Sequence, residues 1–207
     1  MKLRGLYAIT PELADSDTLL QHAARALEGG IAALQYRSKH SSGERRSRQA
    51  IALAAMCRGR GVPFIVNDDV ALALESGADG VHLGRNDGAL AAARAKLGGR
   101  LLGASCYDSL SAARAAVAAG ADYIAFGSVF PSSTKPAAVR APLTLFGDAR
   151  TLGVPLVAIG GITLHNAPQL LVAGADSLAV ISDLFEATDI AEKARAYGKL
   201  FHHDLTQ

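Results

Sequence analysis

The stretch Ser109–Phe126, SLSAARAAVAAGADYIAF, holds one complete unit of the fold: an Ala-rich helical segment, the joint Gly120-Ala121-Asp122, and the apolar strand Tyr123–Phe126. The same joint recurs at Gly77-Ala78-Asp79 and Gly174-Ala175-Asp176, with Gly29-Gly30 in its place early in the chain. Glycine lacks a Cβ and suits the left-handed cap that ends a helix, which gives the recurrence a physical cause. Outward from this unit, short apolar runs predict further strands at Leu6–Ile9, Ala33–Tyr36, Phe64–Val66, Gly80–Leu83, Leu101–Ala104, Leu156–Ile159 and Leu178–Ile181. They are apolar on both faces, as parallel strands covered on both sides must be. Between them Thr18–Glu28, Ser47–Arg58 and Ala187–Leu200 carry helical period and strong helix formers. Strands alternating with helices fit either an open doubly wound sheet or a barrel; uniform repetition without a linker favours one (β/α)8 barrel, of the TIM-barrel class, over residues 1–207.

Half of the 207 residues are hydrophobic and 19% charged, enough for a sizeable core. The formal net charge of +2 is too small to point to nucleic acid or an anionic membrane as partner. No apolar run is long enough for a membrane span or a secretory leader, and Cys57 and Cys106 show no metal-ligand spacing. A reduced, cytoplasmic protein is expected, with small molecules as partners and room for a homo-oligomer.

In such a barrel the site lies at the C-terminal strand ends. After strand two comes Gln35-Tyr36-Arg37-Ser38-Lys39, where alternation sends Gln35, Arg37 and Lys39 to one side. Arg grips phosphate oxygens bidentately and Lys adds a point charge. Asn67-Asp68-Asp69 after strand three suits a helix cap when taken alone. With Asp87 after strand four, it also offers two carboxylates on neighbouring strand ends, a set suited to Mg2+, which keeps several waters and needs few protein ligands. His82 reads as a structural strand-end histidine. Strand five ends in Ser105-Cys106-Tyr107, with no nucleophile–base pair. The Pro-, Ser- and Ala-rich stretch 131–142, which contains Ser132, Ser133, Thr134 and Lys135, reads as a mobile lid over the site. Gly160-Gly161 and Ile181-Ser182 end strands seven and eight, where barrels often hold a phosphate. Two anion sites without a nucleophile imply a reaction between two phosphorylated molecules, driven by positioning and by stabilising a departing diphosphate.

The ordered set Gly5-Leu6-Tyr7-Ala8-Ile9-Thr10, Gln35–Lys39, Asn67-Asp68-Asp69, Gly80-Val81-His82-Leu83-Gly84, Thr134-Lys135 and Ala158-Ile159-Gly160-Gly161-Ile162 resembles the thiamine phosphate synthase family. The resemblance implies a transferase that couples 4-amino-5-hydroxymethyl-2-methylpyrimidine diphosphate to a thiazole phosphate, by a route in which diphosphate leaves first. It implies that Asp68 and Asp87 hold Mg2+, and that Arg37, Lys39 and Lys135 act on the diphosphate. Gln35, Tyr36, Ser38, Asn67, Ser105 and Cys106 would complete the pyrimidine diphosphate side, with either Ser105 or Cys106 as the nearer contact. Ser132, Ser133, Thr134, Gly160, Gly161, Ile181 and Ser182 would surround the thiazole phosphate. Where many relatives carry Gln before the second acid, this chain has Arg85-Asn86-Asp87. The alternatives are a related thiazole tautomerase, which has no need of the diphosphate clamp, and a non-catalytic thiazole- or thiamine-phosphate binder.

Overall fold

A computed structural model describes residues 3–39, 43–85, 87–131 and 140–202. Eight parallel strands close in sequence order, the last pairing with the first: β1 (Gly5–Ile9), β2 (Ala33–Tyr36), β3 (Phe64–Asn67), β4 (Gly80–Leu83), β5 (Leu101–Tyr107), β6 (Tyr123–Phe126), β7 (Leu156–Ile159) and β8 (Ser177–Val180). The barrel expectation therefore holds, and the open sheet is excluded. Helices α1 (Ser16–Glu28), α2 (Gly43–Arg58), α3 (Val70–Glu75), α4 (Leu90–Leu97), α5 (Leu110–Ala118), α6 (Thr144–Ala149) and α7 (Ala167–Ala173) return the chain outside the barrel. After β8 a short turn, α8 (Ser182–Phe185), precedes α9 (Ile190–Leu200). α9 starts later than its composition predicts because Asp189 caps it, accepting a bond from Glu192 N–H at 3.0 Å.

Each joint contributes more than its glycine. Gly120 and its counterparts take the expected positive φ, but the following aspartate does separate work. Asp79 Oδ2 accepts from Phe64 N–H (2.8 Å), Asp122 from Leu102 N–H (2.7 Å), and Asp176 from Leu156 N–H (2.9 Å). The backbone N–H of each aspartate returns a bond to the carbonyl of the same residue. A strand start has no ladder partner for these groups, so the repeated Asp satisfies them and sets the register between neighbours.

Strand alternation divides the core in two. Tyr7, Ile9, Ala33, Ile65, Tyr123, Ala125, Val157 and Ala179 fill the barrel interior. The intervening residues, such as Leu34, Val66, Val81 and Ile124, pack outward under the helices. The interior is thus a packed floor, with a larger cavity above it at the C-terminal strand ends and a smaller one below it at the strand starts, beside Leu3, Leu101 and Pro155.

Candidate active site

A cavity of about 490 Å3 opens at the C-terminal strand ends. Gln35, Arg37 and Lys39 line it from the end of β2, Asn67 and Asp68 from β3, and Asp87 from the segment after β4. Ser105 lines it from β5, Gly160 and Gly161 from β7, and Ile181 and Ser182 from β8. Ser132, Ser133, Thr134 and Lys135 lie outside the described residues, though Pro131 at the head of that segment reaches the cavity.

Three expected contacts are corrected. Tyr36 faces outward: it is buried against the helices, and its hydroxyl donates to Gln49 Oε1 of α2 at 2.7 Å. Ser38 does not line the cavity; its hydroxyl turns to Glu12 Oε1 at 3.3 Å. Cys106 is buried in the outer core, with its thiol towards Ala104 O and its pKa pushed up to about 12 by burial. The cause is the period of two along β5, which sends Ser105 and Tyr107 to the cavity and turns Leu102, Ala104 and Cys106 to the outer core. Between Ser105 and Cys106, Ser105 is the residue that faces the site.

The cationic arm is anchored from β1. Arg37 N–H donates to Thr10 Oγ1 at 3.0 Å and Lys39 N–H to Glu12 Oε2 at 2.9 Å, so the backbone is held while both charged heads reach the cavity. In the acidic triplet the two Asp roles separate. Asp69 caps α3 through Leu72 N–H (2.9 Å) and pairs with Arg46 (2.9 Å). Asp68 takes a positive φ of 64°, which Asp tolerates better than most residues, and its N–H bonds His82 O at 2.8 Å across the β3–β4 seam. Asp68 lies 3.4 Å from Lys39 Nζ and within hydrogen-bonding reach of Asp87. Burial, then the neighbouring Asp87, push its pKa above the ordinary carboxylate value, while Lys39 opposes the shift. Asp87 in turn accepts from Gly84 N–H at 2.7 Å, which closes the turn after β4.

The glycine pair is fixed by packing. A Cβ on Gly161 would overlap Pro131 O and lie 2.8 Å from Phe130 O; one on Gly160 would lie 2.8 Å from Ser128 Cα. Phe130 N–H bonds Gly160 O at 3.0 Å, and Ala141 N–H bonds Ser128 O at 3.0 Å. Phe130 is therefore seated beside the end of β7, and Ala141 is held to Ser128, which lies against Gly160.

Reading the sequence alone missed the floor of this cavity. Tyr7 lines it, and His82, expected to be structural, both lines it and bonds Ser105 Oγ through Nε2 at 2.8 Å. Burial lowers the His82 pKa to about 4, with Asp87 pulling weakly the other way, so the ring is neutral at pH 7. Asp183 and Glu186 also line the wall near β8, where Asp183 is held by Tyr197 Oη (2.7 Å) and Lys193 Nζ (3.3 Å).

A closed parallel barrel with a cationic, carboxylate-bearing cavity at its strand ends belongs to the (β/α)8-barrel enzymes that act on small anionic molecules. A family model described as thiamine monophosphate synthase matches residues 6–184, and the chain belongs to that family. It is 59% identical to a thiamine-phosphate synthase of Aromatoleum aromaticum over 202 residues, covering 97% of each chain. It is 58% identical to one of Azoarcus sp. over 202 residues, covering 97% of this chain and 98% of the relative. The structure of thiamine phosphate pyrophosphorylase from Pyrococcus furiosus superposes with a TM-score of 0.85 at 33% identity, covering 97% of this chain and 96% of that one.

Proposed function

We propose that this transferase joins 4-amino-5-hydroxymethyl-2-methylpyrimidine diphosphate to hydroxyethylthiazole phosphate, or its carboxylated form, giving thiamine phosphate and diphosphate. One observation carries the reading. Gln35, Arg37, Lys39, Asn67, Asp68 and Asp87 converge from three adjacent strand ends on one side of the cavity, as a diphosphate bound through a cation requires. In the reaction the carbon–oxygen bond of the pyrimidine methylene breaks and its electron pair leaves with diphosphate. The thiazole nitrogen then gives its lone pair to the methylene carbon. Arg37 and Lys39 face the leaving group and stabilise the charge that develops there, with Lys135 as the further cation we assign to it. No protein nucleophile is needed. Ser105 and Gln35 meet the pyrimidine, while Gly160, Gly161, Ile181 and Ser182, which line the cavity, hold the thiazole phosphate; we assign Ser132, Ser133 and Thr134 to the same phosphate.

The residues fit Mg2+. Among the described residues no group of three or more His, Cys, Asp or Glu is gathered, but two neighbouring carboxylates, of which Asp68 has its pKa raised by burial and by Asp87, suit an ion that keeps its waters. Asp68 and Asp87 would hold it, and when bound it neutralises charge on the diphosphate. Retention of the whole cationic and acidic set disfavours the tautomerase and binding-protein alternatives, which have no use for it. No helix among the described residues is long and apolar enough to cross a membrane, and Cys57 and Cys106 are free and buried, which supports the cytoplasm as compartment.

The test incubates the protein with both substrates and Mg2+ and quantifies thiamine phosphate and diphosphate. Equal amounts of both products are expected, and none after EDTA. Absence of both under conditions where a known synthase works would end the proposal; full turnover in EDTA would remove the metal from it.

A further inference from the structure

Five side chains from five strands are linked by hydrogen bonds across the cavity floor. Gln35 Nε2 donates to Tyr7 Oη at 2.8 Å, and the Tyr7 and Tyr123 hydroxyls meet at 2.8 Å. Tyr123 Oη lies 3.1 Å from His82 Nδ1, and His82 Nε2 lies 2.8 Å from Ser105 Oγ. The two ends, Gln35 and Ser105, line the cavity, whereas Tyr123 sits behind them, 2% exposed.

Each hydroxyl has one proton to give, and a neutral imidazole has one. With Gln35 donating and the Tyr7 proton kept within the chain, Tyr7 gives its proton to Tyr123, Tyr123 gives its own to Nδ1, and Nε2–H points to Ser105. That order leaves Gln35 Oε1 as an acceptor and the Ser105 O–H as a donor for whatever fills the cavity. A single member that reversed alone would set two protons or two lone pairs face to face in a buried place, so the five turn together or not at all. A second observation shows that the middle of the chain is built to stay in register. The His82 and Tyr123 rings stack at 5.5 Å between centroids, over Gly103, where a Cβ would overlap the Tyr123 ring and lie 2.6 Å from His82 Nδ1.

We infer that Tyr7, Tyr123 and His82 are positioning residues that hold Gln35 as acceptor and Ser105 as donor, and thereby select an aminopyrimidine edge over its oxo counterpart. A 4-aminopyrimidine presents an amine N–H beside a ring-nitrogen lone pair. The 4-oxo compound presents a carbonyl beside a ring N–H, the reverse pattern. A site whose polar groups are locked in one order leaves both contacts of the reversed edge mismatched, the kind of buried mismatch that gives strong discrimination. The identity of the substrate rests on the proposed function; the proton order does not.

The test uses the full chain with Mg2+, thiazole phosphate, and either pyrimidine diphosphate or its 4-oxo analogue. The wild type is expected to favour the amino substrate by about 100-fold or more in kcat/KM. Tyr123→Phe and Tyr7→Phe keep their rings, and each should lower that preference about ten-fold or more. KM for thiazole phosphate should stay within about two-fold, since a general loss of structure would move both substrates alike. In parallel, 15N NMR of the His82 ring should show the proton on Nε2 in the wild type, and a mixture of tautomers in Tyr123→Phe. If Tyr123→Phe does not fold, Tyr7→Phe and the wild-type tautomer decide the matter. Undiminished preference in the folded variants, or a proton on Nδ1 in the wild type, overturns the inference. A wild type that forms no thiamine phosphate would instead remove the functional reading, and the tautomer measurement would still test the relay.

Discussion

Asp68→Asn should make the metal-free protein more stable while abolishing its response to Mg2+. Two unit charges about 4 Å apart repel by about 4 kcal/mol at an effective dielectric of about 20. The Lys39 ammonium, 3.4 Å from Asp68 Oδ2, offsets part of that repulsion, and solvent screening removes more of it. What remains, together with the burial of Asp68, amounts to about 1 kcal/mol, within the usual gain from relieving a strained active-site position. For a chain of this size that is about 2–4 °C in Tm. Because the Asp68 pKa is raised in the folded protein, the fold holds a proton there more readily than the unfolded chain does. The associated stability is fully present below the ordinary carboxylate value and is lost as pH rises through the folded value. Asn has no such loss, so the advantage of the variant should be clear at about pH 7.5 and vanish towards about pH 4. Thermal denaturation in EDTA across that range measures it. Adding Mg2+ and diphosphate should then raise the wild-type Tm by mass action and leave Asp68→Asn unmoved. A variant less stable than the wild type in EDTA at the higher pH, or a gap independent of pH, would refute the argument that the two carboxylates strain this site.

Asp176→Ala strips the Leu156 N–H of its acceptor at a position only 1% exposed, and should cost about 1–3 kcal/mol in urea denaturation. Asp176→Asn keeps an acceptor oxygen and should recover most of the loss; equal losses would mean that the bond to Leu156 is not what matters. Gly161→Ala places a methyl group against Pro131 O at a φ of 65°, so the segment leading into residue 132 must shift. KM for thiazole phosphate should rise more than KM for pyrimidine diphosphate, by steady-state kinetics with each substrate varied in turn. The His82 ring, held neutral down to about pH 4, should keep its neutral 15N signature from about pH 8 to about pH 5. A titration inside that window would contradict its burial.

The rim of the site was legible because polar residues stand out where apolar strands end. At β2 the period of two separated Gln35, Arg37 and Lys39 from Tyr36 and Ser38, so alternation alone places these last two outside the cavity. The expectation that they contact substrate came from the resemblance, and geometry corrects it. At β5 the same alternation separates Ser105 and Tyr107 from Cys106, so the choice between Ser105 and Cys106 was already contained in the strand period. The joint glycines declared themselves through their backbone demands. Their aspartates did not, because Phe64, Leu102 and Leu156 lie 15 or 20 residues earlier and become neighbours only in the sheet.

The floor was the least legible part, for a reason that bears on function. Tyr7, His82 and Tyr123 each sit in an apolar strand, where a buried aromatic or a lone histidine reads as core. They meet only when β1, β4 and β6 close into one barrel. Closure therefore makes the hydrogen-bond chain, and the chain in turn supplies partners for two phenols whose burial raises their pKa and would otherwise be costly. Phenylalanine at both positions would strip Gln35 Nε2 and His82 Nδ1 of their partners, so the tyrosines cannot be exchanged as an isolated pair. The polarity of the floor is therefore a property of the whole chain, which runs without a break from one cavity-lining group, Gln35, to another, Ser105.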